Sequence, residues 1–180
     1  MPRTVSVPAD RFTGWLERFG ANNPDGPQQI VGVQPPLPSP LAVLLIRRGG
    51  YAVGLVGATG LVAHKVGTRH VQSRTAAGGW SQQRFARRRA NQADALVGAV
   101  QDHLDRVLRE FGASPVALVR GGDRALVAEV LSDARLDQLT ALPSRDYPDI
   151  ADPRRAVLDE VVRRATAYEI TIDDGPVGRG

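Results

Sequence analysis

Residues 41–66 are the part of the chain that most restricts its fold. Three runs rich in apolar and β-branched residues, Leu41–Arg48, Tyr51–Gly57 and Thr59–Val66, follow one another with only two short breaks. Both breaks contain glycines, as hairpin turns commonly do. The pattern predicts a three-stranded antiparallel meander that is buried on at least one face.

A long helix is predicted after the meander, from about Ser81 to Arg109. Apolar residues recur there at helical spacing. Together with one glutamine they approximate the inner stripe of the helix, which consists of Phe85, Gln92, Leu96, Val100, Leu104, Val107 and Phe111. In this interpretation Phe85 is the first core anchor of the helix rather than a residue that stacks on a base.

The rest of the main body alternates strand and helix. Pro115–Val119 is typical of a buried strand, Gly121-Gly122 of a turn, and Arg124–Leu131 of a helix, whereas Leu136–Leu142 fits either a short strand or a helical turn. Pro153–Tyr168 has the spacing of an amphipathic helix. Together these elements predict an α+β domain in which a mixed sheet packs against helices.

The domain boundaries follow from composition. Residues 1–40 combine a short amphipathic helix, Pro8–Gly20, with a segment, 21–40, that holds 6 of the 13 prolines and is predicted to be an irregular linker. The apolar stripe of that helix, Phe12, Trp15, Leu16 and Phe19, is interpreted as core packing. The main domain is expected to occupy residues 41–172, and residues 173–180 are expected to form a tail.

Charge is distributed unevenly along the chain. Residues 1–93 contain 12 basic and 3 acidic residues, whereas residues 94–180 contain 11 and 16, and no acid lies between Asp25 and Asp94. A basic half of this kind is attracted to polyanions such as nucleic acid.

The strongest local signal is the segment 78–89, which reads Gly-Gly-Trp-Ser-Gln-Gln-Arg-Phe-Ala-Arg-Arg-Arg. Two conformationally free glycines precede two uncharged amides and four arginines. The preceding residues 67–77 are small, polar or basic. We therefore expect residues 67–79 to form a mobile, positively charged finger.

This segment closely resembles the catalytic loop of eukaryotic and archaeal class-1 translation termination factors, Gly-Gly-Gln-Ser-x-x-Arg-Phe-x-Arg-x-Arg. The matching positions are Gly78, Gly79, Ser81, Arg84, Phe85, Arg87 and Arg89, whereas Trp80 stands in place of the family's glutamine. A related branch, the VLRF-type (Vms-like) release factors of ribosome quality control, has its glutamine after Gly-Gly and an intervening residue. The chain is most similar to an actinobacterial member of that branch, over roughly residues 40–172.

The resemblance implies a ribonuclease-H-like catalytic domain that hydrolyses ribosome-bound peptidyl-tRNA during ribosome rescue. Gly78 and Gly79 would shape the loop, and a glutamine amide would position water at the ester. Gln82 could provide this amide if the loop extends at Ser81 instead of entering the helix there. It is favoured because it follows Ser81 and lies nearer the glycines, and Gln83 remains the alternative. Ester hydrolysis by positioned water needs no metal.

The expected partners are the large ribosomal subunit, its rRNA and peptidyl-tRNA. The candidate RNA-binding residues are Arg69, Arg74, Arg84, Arg87, Arg88 and Arg89. Since Trp80 replaces the family's glutamine, a non-catalytic ribosome- or RNA-binding module is the alternative function.

Several classes of protein are disfavoured. The chain has no cysteine, which excludes disulfides and zinc–thiolate sites, and His64, His70 and His103 lack the spacing of a metal site. The meander lacks the carboxylates that a two-metal nuclease requires. No apolar run is long enough to span a bilayer. We therefore expect a cytoplasmic monomer without metal or cofactor.

Overall fold

The computed structural model describes residues 1–24, 26–68, 80–112 and 114–175. The strands are β1 Arg3–Pro8, β2 Gln29–Gln34, β3 Leu41–Arg47, β4 Gly50–Gly57, β5 Gly60–Thr68, β6 Ala117–Gly122, β7 Ser144–Tyr147 and β8 Ala167–Asp173. The helices are α1 Phe12–Asn22, α2 Trp80–Glu110, α3 Arg124–Leu131, α4 Asp137–Thr140 and α5 Arg155–Ala165, with short 3₁₀ turns at Ala9–Arg11 and Ala134–Leu136. No helix in these ranges is both long and apolar enough to cross a membrane.

The backbone contacts divide the chain into two compact units. One unit contains residues 39–160, and the other combines residues 1–38 with residues 161–180. The sequence had instead suggested a single main domain from 41 to 172. The difference arises because β8, near the carboxyl end of the chain, pairs with β1 and β2 from the amino end.

The larger unit is built on a five-stranded mixed sheet with the order β5-β4-β3-β6-β7. The predicted meander is confirmed, since β4 pairs antiparallel with both β3 and β5. β6 pairs parallel with β3, and β7 pairs parallel with β6. Only β4 therefore runs against the other four strands, whose carboxyl ends all meet at one edge of the sheet.

The core of this unit lies between the sheet and the helices α2 and α3. Ala42, Leu44 and Ile46 alternate along β3 and pack in one apolar cluster with Leu104 of α2 and Val130 of α3. The intervening β3 residues, 41, 43 and 45, are also fully buried. The strand is therefore buried on both faces, which explains why its sequence is continuously apolar.

The smaller unit is a three-stranded antiparallel sheet with the order β1-β8-β2. Phe12, Trp15 and Phe19 of α1 pack against its apolar residues, as predicted, and Phe12 stacks on Tyr168 with ring centroids 3.7 Å apart. The fourth residue of the stripe, Leu16, is 37% exposed.

Three local predictions were wrong. Residues 21–40 are not wholly irregular, because the proline-free stretch between Pro27 and Pro35 forms β2. The helix predicted over Pro153–Tyr168 ends at Ala165, where the alternating sequence of β8 begins. The predicted turn at Gly121-Gly122 belongs to β6, although Gly122 does take a positive φ of 93° at the strand end.

Candidate functional site

α2 is exposed over a long stretch that begins at its third residue. All residues from Gln82 to Gln92 are exposed, and the first buried residue of the helix is Leu96. We call residues 82–92 the basic arm. At 1.5 Å per residue it is roughly 16 Å long. Alanine, glutamine and arginine are good helix formers, which helps to maintain a helix that has little packing of its own.

The four arginines of the basic arm have no partner of opposite charge among the residues that the structure describes. Arg84, Arg87, Arg88 and Arg89 are exposed, and none forms an ion pair with another residue that the structure describes. The first acid of the helix is Asp94, which lies beyond the arm. The partial positive charge of the helix amino terminus adds to the same field. The arm therefore presents a concentrated positive charge to solvent.

Gln82 and Gln83 both lie in the first turns of α2, which begins at Trp80. Both side chains are exposed. Successive helical residues are about 100° apart around the axis, so the two amides face different directions. The role envisaged for Gln82 requires an extended loop at this position, whereas the residue is helical here.

The other predicted site residues lie outside the described part of the chain. These are Gly78 and Gly79 of the catalytic motif, and Arg69 and Arg74 of the RNA-binding set. His70 and most of the predicted mobile finger lie there too.

The prediction that Phe85 anchors the helix in the core was wrong. Its side chain is 44% exposed, and Gln92 and Phe111, assigned to the same stripe, are exposed as well. The middle of the stripe is correct, because Leu96, Val100, Leu104 and Val107 are buried. Helical spacing identified the face of α2, but it did not indicate where the neighbouring elements stop covering that face.

Two histidines of the larger unit contact neighbouring side chains of the same unit. His103 stacks on Tyr51 with ring centroids 5.6 Å apart. Burial lowers the pKa of His103, and the charges of Lys65 and Arg106 lower it further against the opposing effect of Asp102. His64 Nε2 lies 2.9 Å from Arg155 Nη1. No three metal-ligating side chains cluster among the described residues.

Sequence reasoning missed a groove beside the basic arm. A cavity of about 670 Å³ lies between the arm and the start of α3, and Arg48, Thr68 and Asp123 contribute to its walls. These three residues are far apart in sequence, but each stands at the carboxyl end of β3, β5 or β6. Parallel strands commonly place binding groups at that edge. The topology, once known, is the signal that brings them together.

The fold and the arm together define an α+β protein with an exposed basic helix, whose four arginines form no ion pair within the described ranges. A family model described as the Actinobacteria/chloroflexi VLRF1 release factor matches residues 39–171, well over half of the chain. The chain belongs to this release factor family. The predicted similarity to an actinobacterial VLRF-type release factor is thereby confirmed. No curated protein matches the chain.

Proposed function

We propose that this protein hydrolyses peptidyl-tRNA on the large ribosomal subunit and so frees nascent chains during ribosome rescue and quality control. Its membership of a release factor family supports a role at the ribosome. The observation that carries the proposal is the basic arm, which is separated from the Gly78-Gly79 motif only by Trp80 and Ser81. An arm with four unpaired arginines suits the phosphates of rRNA and tRNA. We expect the protein to act in the cytoplasm as a monomer.

The larger unit has the features expected of a ribonuclease-H-like catalytic domain. Its strand order, β5-β4-β3-β6-β7, with only β4 reversed, supports that assignment. No described residue of β3 or β4 is acidic, and no three metal-ligating side chains cluster among the described residues, whereas nucleases of this fold hold metal ions with clustered carboxylates. The proposed reaction accordingly uses water positioned by polar groups.

In the proposed mechanism the ester carbonyl of peptidyl-tRNA is attacked by a water molecule. Gly78 and Gly79 would allow the backbone to approach the ester closely, and the amide of Gln82 or Gln83 would orient the water. Backbone N–H groups would stabilise the oxyanion as it develops. The arginines of the arm would hold the loop against RNA and take no part in bond breaking.

A non-catalytic ribosome-binding module is the second candidate, and a specific observation favours it. Gln82 and Gln83 are both helical in the free protein, and Trp80 occupies the glutamine position of the class-1 factors. If the helix keeps this start on the ribosome, neither amide lies in an extended loop.

Peptide release from stalled ribosomes separates the two functions. Ribosomes carrying labelled peptidyl-tRNA without a stop codon are incubated with the protein, and free peptide is measured. We expect release, and we expect Gln82→Ala to reduce its rate by about 10²–10³, as removal of one preorganised polar group typically does. Asn91→Ala, which removes another exposed side-chain amide of the same helix, is the matched control.

The outcomes of the glutamine variants are distinct. Loss of release in Gln83→Ala with normal release in Gln82→Ala would assign the role to Gln83. Normal release by the double variant would contradict the glutamine mechanism. Absence of release by the unmodified protein, despite stable ribosome binding, would favour the non-catalytic module.

A further inference from the structure

The inner stripe of α2 changes in character along the helix. Leu96, Val100 and Leu104 are buried in the core. The same stripe continues toward the amino terminus as Ala93, Ala90 and Ala86, and all three line the groove against α3. Ala93 packs against the buried cluster that includes Leu126 of α3, whereas Ala90 and Ala86 are exposed. The groove of about 670 Å³ therefore remains open where a leucine would have filled it.

Two cations line the groove. Arg48 and Arg89 are both exposed. Neither forms an ion pair with any residue in the described ranges. Thr68 and Gln92 add a hydroxyl and an amide to the lining. An anionic group at the groove would therefore meet two cations together with neutral hydrogen-bonding groups.

One wall of the groove carries a carboxylate with an open acceptor. Asp123 Oδ1 caps α3 by accepting from the backbone N–H groups of Ala125 and Leu126, at 2.9 and 3.2 Å. Its other oxygen, Oδ2, accepts no hydrogen bond from the residues that the structure describes. Asp123 is half-buried. A ligand that donates an N–H inside the groove would satisfy Oδ2.

This combination favours a nucleotide over an acidic peptide. An acidic side chain entering the groove would meet the carboxylate of Asp123 and be repelled. In a nucleotide the neutral base and the charged phosphate are separate groups. The base can therefore enter the groove while the phosphate stays outside. The volume lies within the roughly 300–1,000 Å³ of typical ligand sites. Unpaired bases are the usual targets of RNA-binding side chains, since their edges are accessible.

We propose that this groove binds one unpaired ribonucleotide whose base carries an exocyclic amino group. Arg48 and Arg89 bind its phosphate, the alanines of α2 contact the base, and Asp123 Oδ2 accepts the amino N–H. The proposal deepens the proposed function and rests on it, since the ribosome supplies such nucleotides from rRNA or from the tRNA end. It identifies Asp123 as the residue that determines which base is bound.

Binding of short single-stranded RNA tests the proposal. Fluorescently labelled tetranucleotides of cytidine and of uridine are titrated with the full-length protein, and polarisation is measured at low salt. A hydrogen bond to a charged group contributes enough for a preference of about tenfold. We therefore expect the cytidine oligomer to bind about tenfold more tightly, because uracil has a carbonyl in place of the amino group.

Two variants locate the effect in the groove. Asp123→Asn keeps a helix-capping oxygen but presents an amide N–H₂ to the base, so the preference should shift toward uridine. Ala90→Leu should fill the groove and weaken binding of the cytidine oligomer about tenfold. Ala95→Leu is its matched control, because Ala95 is exposed, about 140° around the helix from Ala90. Thermal unfolding confirms that each variant is folded.

Three results would overturn the proposal. An unchanged base preference in folded Asp123→Asn, or equal weakening by the two leucine variants, would overturn it. Displacement of the cytidine oligomer by a poly-glutamate peptide at equal concentration would overturn it in favour of an acidic protein segment. If the preference is found, Asp123→Asn is compared on vacant large subunits and on an acceptor-end tRNA oligonucleotide. The substrate whose affinity changes is the source of the nucleotide.

The groove and the hydrolase function can fail separately. Base preference without peptide release would retain the groove and reject the hydrolysis. Peptide release without base preference would do the reverse.

Discussion

The two halves of α2 both contain arginines, but they differ in whether these arginines form ion pairs. In the carboxyl-terminal half, Arg109 pairs with Asp105 at 3.0 Å, and Asp102 pairs with Arg135 of the 3₁₀ turn after α3, also at 3.0 Å. The arginines of the basic arm have no such partner within the described chain. One half is packed and electrically compensated, whereas the other is exposed and uncompensated.

This difference indicates which half is available to a partner. Four neighbouring cations on one exposed helix repel each other and add nothing to folding. Exposed ion pairs contribute little to stability, but they do neutralise charge. The paired half therefore contributes a locally compensated surface, whereas the arm retains its full attraction for a polyanion.

Charge reversal in the arm should have the largest effect. Replacing Arg84, Arg87, Arg88 and Arg89 by glutamate should abolish association with the large ribosomal subunit, because attractive phosphate contacts become repulsive. Cosedimentation with purified subunits is the measurement. The control reverses Arg106 and Arg109 in the other half of the helix, and these changes should leave most of the binding intact. Equal loss in both variants would remove the distinction between the halves.

Truncation of apolar residues should distinguish the halves by stability. Leu104 is fully buried, so Leu104→Ala should lower the free energy of unfolding by about 2–5 kcal/mol. Phe85 is 44% exposed, so Phe85→Ala should change it by no more than about 0.5 kcal/mol. Urea unfolding followed by circular dichroism gives both values. A cost for Phe85→Ala close to that for Leu104→Ala would mean that the arm is packed in solution.

The smallest expected effect concerns His103 in the packed half. Its pKa is lowered in the folded protein, chiefly by burial. The unfolded chain therefore binds the proton more readily than the folded protein does. The contribution of His103 to stability is fully present above its ordinary pKa of 6.5 and decreases as the pH falls through that value. We expect His103→Phe, which preserves a ring against Tyr51, to lose less stability between pH 7.5 and pH 5.5 than the unmodified protein. An identical loss in both proteins would contradict this assignment.

Much of the larger unit was predictable because its signals are local. The apolar runs and hairpin glycines of residues 41–66 specify the meander, and the spacing from Leu96 to Val107 specifies the buried face of α2. The smaller unit was less predictable, because β1 and β2 acquire their partner only from β8 at the other end of the chain. Within β7, Ser-Arg-Asp-Tyr has no apolar alternation, so only its pairing with β6 makes it a strand.

The candidate site was predictable in its charge but not in its shape. Because no acidic residue lies between Asp25 and Asp94, the sequence predicts that the arginines of the arm have no acidic neighbour along the chain. The small and polar residues beside them predict that they are exposed. The groove depends on how far α3 extends along α2, which no local pattern encodes. The same limitation explains the assignment of Phe85 to the core. Phe85 lies on the predicted face of α2, but no neighbouring element in the described chain buries it.

The most direct test of the account is the salt dependence of ribosome binding. The affinity for large subunits is measured from 50 to 200 mM salt for the unmodified protein and for the variant with all four arm arginines changed to glutamine. If each arginine contacts a phosphate, the slope of log affinity against log salt should become shallower by about 3. Neutralising Arg106 and Arg109 should leave the slope nearly unchanged. Equal slopes for the unmodified protein and the arm variant would contradict the claim that the basic arm is where this protein meets RNA.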